Sequence, residues 1–146
     1  MNNKNKIIVV LITTNTIGEA EKIGKALIEE KLGACCNIID NVSSIFRWKG
    51  DICEEGEALL LVKSSSELFS DIVKRVKELH SYELPEIIAL PVTTGFEEYL
   101  NWVESEIKTQ ENVQMSNKAL IVVDMLKDFL EKGGALYCGD RAREII

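Results

Sequence analysis

The densest chemistry in the chain lies in His80-Ser81-Tyr82-Glu83-Leu84-Pro85-Glu86, which gathers the only histidine, a tyrosine and two carboxylates. Imidazole nitrogen and carboxylate oxygen together are reasonable ligands for copper or zinc. A histidine at a helix end also serves as a cap on the last carbonyls, and both roles stay open for His80. Cys35 offers a thiolate to a soft-metal site, or packs as a small hydrophobe at the start of a strand. Arg47 and Trp48 stand beside a turn, where they line a pocket or, for Trp48, anchor packing between subunits. Lys63 suits an anion in a cleft or a surface carboxylate. The sequence contains no P-loop and no GxGxxG, and neither a Ser-His-Asp set nor an acid–base carboxylate pair can be picked out. No enzyme is expected.

The elements that must hold these residues follow from periodicity. Ile7 to Ile12 is an uninterrupted β-branched and aliphatic run, the pattern of a central strand buried on both faces. Thr16 and Glu19 form a capping box, and Ile17, Ala20, Ile23, Leu27 and Ile28 share one face of the helix it opens. Gly33 suits the exit from that helix. Two strand-like runs, 35–48 and 52–63, flank the turn signal Lys49-Gly50-Asp51 and predict a hairpin. Glu54-Glu55-Gly56-Glu57 predicts a bulge or loop in the second of them. Ser64 with Glu67, and Thr94 with Glu97, predict two further capping boxes. The helices after them carry Leu68, Ile72, Val73, Val76 and Leu79, and Phe96, Tyr99, Leu100, Val103 and Ile107. Between them Ile87 to Val92 reads as a fourth strand. The expectation is an α+β, ferredoxin-like βαββαβ domain with an extra C-terminal helix.

A hairpin of two strands about a dozen residues long reaches about 40 Å, whereas a crossover helix of about 15 residues covers about 23 Å. The projecting part carries Ile45, Phe46 and Trp48, and the sheet face left open by the helices is apolar as well. A closed homo-oligomer in which each arm caps a neighbour covers both; an arm bent back on its own subunit is the alternative.

Composition narrows the function. The 146 residues hold 46% hydrophobic and 28% charged side chains, with 24 acidic against 17 basic residues and a net charge of -7. That sign argues against nucleic acid as a partner. No apolar run is long enough to cross a membrane, and no secretory leader is visible, so a cytoplasmic chain with reduced thiols is expected. Cys35, Cys36, Cys53 and Cys138 form no CxxC pair. Residues 1–107 read as one domain and 108–114 as a linker. At 115 a new pattern opens, and 115–146 is neutral, so all the net acidity lies before it.

Three stretches carry a family resemblance. They are Glu30-Lys31-Leu32-Gly33-Ala34-Cys35-Cys36-Asn37-Ile38-Ile39, Ser44-Ile45-Phe46-Arg47-Trp48-Lys49-Gly50 and Glu78-Leu79-His80-Ser81-Tyr82-Glu83-Leu84-Pro85-Glu86-Ile87. In order and spacing they resemble the CutA divalent-cation-tolerance family, and Tyr99-Leu100-Asn101-Trp102 resembles its closing helix. The resemblance implies a trimer similar in architecture to PII signalling proteins, involved in tolerance to divalent metals and in weak binding of copper or another divalent ion. It places His80, Cys35 and Glu83 as candidate metal ligands. It places Trp48, Lys63, Tyr82, Glu86 and Arg47 near the clefts between subunits. A PII-like module binding a small anionic metabolite in those clefts is the alternative. Ser81 stands where the family usually has proline, Phe46 where it has tyrosine, and Ile12 where some members have a cysteine. The last departure weakens a copper site that needs that sulfur.

Residues 119–130, with Gly134 to Tyr137 and Arg143 to Ile146, resemble the opening of an isochorismatase- or nicotinamidase-type cysteine hydrolase. Asp124 would match its catalytic aspartate. Cys138 lies too early to match its nucleophile, and no counterpart of its lysine follows. Residues 115–146 are therefore expected to be a truncated strand–helix fragment without function.

Overall fold

The computed structural model describes residues 6–108. Residues 109–146, which include the expected linker beyond Lys108 and the fragment expected at 115–146, lie outside the described residues. Strand β1 (Ile7–Thr14) is followed by helix α1 (Ile17–Glu29), the hairpin β2 (Cys35–Trp48) and β3 (Asp51–Ser65), helix α2 (Phe69–Leu79), strand β4 (Ile87–Pro91) and helix α3 (Glu97–Glu106). All pairings are antiparallel, in the order β2-β3-β1-β4. This is the expected ferredoxin-like order with its added helix.

Register divides the sheet into two faces. Ile12 lies between Leu60 and Ile87, and Val10 between Val62 and Ala89. This face packs on Ile23 and Leu27 of α1 and Ile72 and Val76 of α2, all fully buried. The opposite face sets Leu11 between Leu61 and Ile88, and Val9 between Lys63 and Leu90. Ile88 is 48% and Leu90 50% exposed, so this face is bare at β4, whereas on β1 it is half-buried at Val9 and Leu11 and buried at Ile7 and Thr13.

Only the first capping box forms, and only in part. The Thr16 hydroxyl accepts from the Glu19 N–H at 3.1 Å, but the Glu19 carboxylate is engaged elsewhere. Ser64 belongs to β3 and donates to the Leu32 carbonyl at 2.6 Å, so it cannot cap. A single 3-10 turn, Ser66–Leu68, leads into α2 instead. Helix α3 begins after Phe96 with no side-chain cap, so the Thr94 box is also absent. Gly33 does not hold the left-handed exit of α1. Lys31 does, at φ 61°, and Gly33 is needed because a Cβ there would lie 2.6 Å from Val62 Cγ1.

The hairpin turn is as expected: Lys49 and Gly50 have φ of 51° and 89°, the left-handed pair of a tight type I′ connection. The bulge is not where the acidic run placed it. Strand β3 runs unbroken, and the register slips in β2, where Ile39 faces Leu59 but Val42 faces Glu57. Asn41 takes φ 63° there, its N–H held by the Asp40 carboxylate at 2.7 Å.

Candidate functional site

Helix α2 ends when the His80 backbone turns extended, its N–H still donating to the Val76 carbonyl at 2.8 Å. The ring does not cap the helix. It is fully buried, with Nε2 2.7 Å from the Thr13 carbonyl and Nδ1 accepting the Tyr82 N–H at 3.0 Å. An amide N–H can only donate, so Nδ1 holds the lone pair and Nε2 carries the proton given to Thr13. Both ring nitrogens are thus committed inside the subunit.

The neighbours extend this into a network. The Ser81 N–H and hydroxyl both donate to the Glu19 carboxylate, at 2.6 and 3.0 Å, and one oxygen of Glu19 lies 3.6 Å from His80 Nδ1. A proline at 81 could not make the backbone bond. Tyr82 packs its ring against His80, with centroids 4.8 Å apart, and donates its hydroxyl to Glu57 at 2.7 Å. Burial holds the Tyr82 phenol well above its ordinary range, helped by the Glu57 hydrogen bond and by the charges of Glu57, Glu55 and Glu19. The 80–86 loop is therefore tied to the start of α1, the end of β1 and the base of the arm. Sequence reasoning noted Glu19 only as a helix signal and Glu57 only as part of an acidic interruption. Nothing local in the sequence links either to the loop.

The candidate metal ligands are not brought together within one subunit. Glu83 and Glu86 are exposed in the same loop as His80. Cys35 pairs with Lys63, which pairs with Val9, whereas His80 sits on Thr13. The four-residue step from Val9 to Thr13 alone is about 13 Å along the strand. Among the described residues no group of three or more histidine, cysteine, aspartate or glutamate side chains is poised to hold a metal.

The open face carries the other candidates. Lys63 Nζ donates to the Asn37 side-chain oxygen and to the Leu61 carbonyl at 3.3 Å. Burial, followed by interaction with the Cys35 thiol, pushes the Tyr99 phenol up to about 12. Cys36 faces the helices; burial, followed by the charge of Cys35, raises its thiol to about 11. Such a thiol is protonated at neutral pH and is inert. Arg47 and Trp48 lie at the far end of the arm, with Lys49 5.6 Å from the Trp48 ring. From Ile52, the partner of Arg47, to Lys63 is about 36 Å of strand, so Arg47 and Lys63 of one subunit cannot share a small ligand.

Comparison with known proteins gives one consistent answer. The family model for the CutA1 divalent ion tolerance protein matches residues 8–106. The divalent-cation tolerance protein CutA of Thermus thermophilus is 50% identical over 95 residues, spanning 65% of this chain and 92% of that protein. The divalent-cation tolerance protein CutA of Archaeoglobus fulgidus is 39% identical over 99 residues, spanning 68% and 96%. A Thermus thermophilus structure of the divalent cation tolerance protein superimposes with a TM-score of 0.69 at 46% identity, covering 70% of this chain and 99% of that one. These relatives are named for tolerance, not for a reaction. Nothing among these matches supports the likeness of 115–146 to a cysteine hydrolase.

Proposed function

The chain belongs to the CutA1 divalent ion tolerance family, and on that premise we propose that it acts as a cytoplasmic homotrimer that binds copper or another divalent metal weakly, as part of tolerance to such ions. The observation that carries this reading is the apolar surface one subunit leaves bare. Ile45 is 68% exposed and Ile52 67% on the arm, and the open sheet face adds Ile39, Ile88 and Leu90. The free edges, β2 and β4, differ, so joining one to the other is a head-to-tail contact of the kind that closes into a ring. Trp48, Lys63, Tyr82, Glu86 and Arg47 then line the clefts between copies.

Support for the metal comes from the 80–86 loop. Nδ1 of His80 lies 3.6 Å from a carboxylate oxygen of Glu19, and Glu83 follows in the same loop. A metal ion taking Nδ1 displaces the Tyr82 N–H, and that cost keeps affinity low. The imidazole–carboxylate donor set favours Cu(II) among the first-row divalent ions. Cys35 joins only from another copy. A Cu(II) titration of the purified oligomer tests this, with His80→Ala and Glu83→Gln beside the wild type. Both variants bind at least about tenfold more weakly if the loop holds the ion, the loss of one ligand costing about 1.4 kcal/mol or more. Equal affinity in all three removes the loop from the site. Light scattering of the same samples reports the subunit number.

A further inference from the structure

Among the described residues Lys63 is the one cation placed by register on the open face of the sheet, between Val9 and Cys35 and within a field of Leu11, Leu59 and Leu61. Its ammonium meets only neutral oxygens, those of Asn37 and Leu61. No carboxylate lies within salt-bridge distance of it among the described residues, although the chain carries 24 acidic side chains. On a monomer, water screens such a charge. Once a second copy covers the face, the charge is stranded at a cost of several kcal/mol unless an anion arrives.

Donors remain around it. An ammonium has three N–H bonds, of which two are used; the Asn37 amide keeps its NH2; and Cys35, whose thiol is a weak donor, is the cross-strand partner of Lys63. We propose that Lys63, with Asn37 and Cys35, forms a receptor for a small oxyanion, a carboxylate or a phosphate, completed when subunits associate. The proposal rests on the trimer reading above and is independent of the metal. Within one subunit Arg47 is too far from Lys63 to share a small anion with it.

The test uses the full chain and inorganic phosphate as probe, with malonate as the carboxylate arm and chloride at matched ionic strength as the control. Melting temperature is followed as each anion is added to wild type, Lys63→Met and Lys74→Met, the last an exposed cation of α2 that covers the other face of the sheet. The wild type and Lys74→Met gain stability with phosphate or malonate beyond chloride. Lys63→Met loses at least about tenfold in apparent anion affinity, as expected for removing a charge-assisted bond. Lys63→Met without anion melts no lower than the wild type, because the stranded charge is gone. Phosphate and malonate responses that are equal in wild type and Lys63→Met overturn the proposal. So does a wild type that ignores both anions while Lys63→Met falls apart into monomers, since the lysine is then neutralised by a carboxylate of another copy. Light scattering in the same buffers separates this from failure of the trimer, which appears as a single chain whatever the anion does.

Discussion

Tyr82 is fixed by a neutral phenol donating to a buried carboxylate, and that has a pH signature. Its proton is held more tightly in the folded state than in the unfolded chain, whose tyrosine titrates at 10.0. The stabilisation is present in full below that value and is lost as pH rises through the higher folded pKa. Cys36 behaves the same way in a lower window, from 9.0 in the unfolded chain to about 11 in the fold. Urea unfolding followed from pH 8 to 11 therefore shows stability falling from about pH 9 upward, and Cys36→Ala flattens the first part of that fall. Tyr82→Phe leaves Glu57 without its partner and lowers stability at pH 7 by about 1.5–3 kcal/mol, the range for a hydrogen bond to a charged group. If the midpoint is unchanged, the Tyr82–Glu57 bond does not hold the loop to the arm.

Among the elements, what the sequence made readable was periodicity, and what it hid was the competition for each polar group. The strand lengths, the left-handed turn at Lys49-Gly50 and the helix faces around Ile23 and Ile72 follow from side-chain alternation, which is local. Ser64 has the right spacing to Glu67 for a cap, yet it spends its hydroxyl on Leu32, distant in sequence. Glu19 likewise completes no box because Ser81 claims its carboxylate. The chain was readable as carrying His80, Tyr82 and Glu83, but the occupation of both imidazole nitrogens by Thr13 and Tyr82 depends on tertiary contacts. Gly33 is the sharpest case, since a helix-exit signal is in fact a demand for space. Gly33→Ala drives a methyl into Val62, a fully buried side chain of β3, and costs about 1–3 kcal/mol as overpacking. Lys31→Gly relieves a left-handed lysine and gains up to about 1 kcal/mol. Chemical denaturation of the two variants side by side checks both signs, and a neutral Gly33→Ala would return that residue to a turn role.

At the scale of the molecule the arm decides the outcome. Beyond the bulge at Asn41, residues 42–56 have no third strand beside them, and the arm's own cross-strand pairs must hold it. A two-stranded ribbon of this kind is marginal in water. Its persistence, with Ile45 and Ile52 two-thirds exposed, makes sense if those side chains are buried against another copy. Burying most of one such side chain contributes roughly 1.5–3 kcal/mol, and a ring repeats the contact in every subunit. The substitutions Ile45→Asp and Ile52→Asp together place two carboxylates in that contact without touching the core of the subunit. The double variant is expected to sediment as a single chain at micromolar concentration, to keep its far-UV circular dichroism apart from the arm, and to melt well below the wild type. If instead it keeps the wild-type subunit number, the arm is not the clamp, and the open face around Leu11, Leu61 and Ile88 must hold the copies together alone.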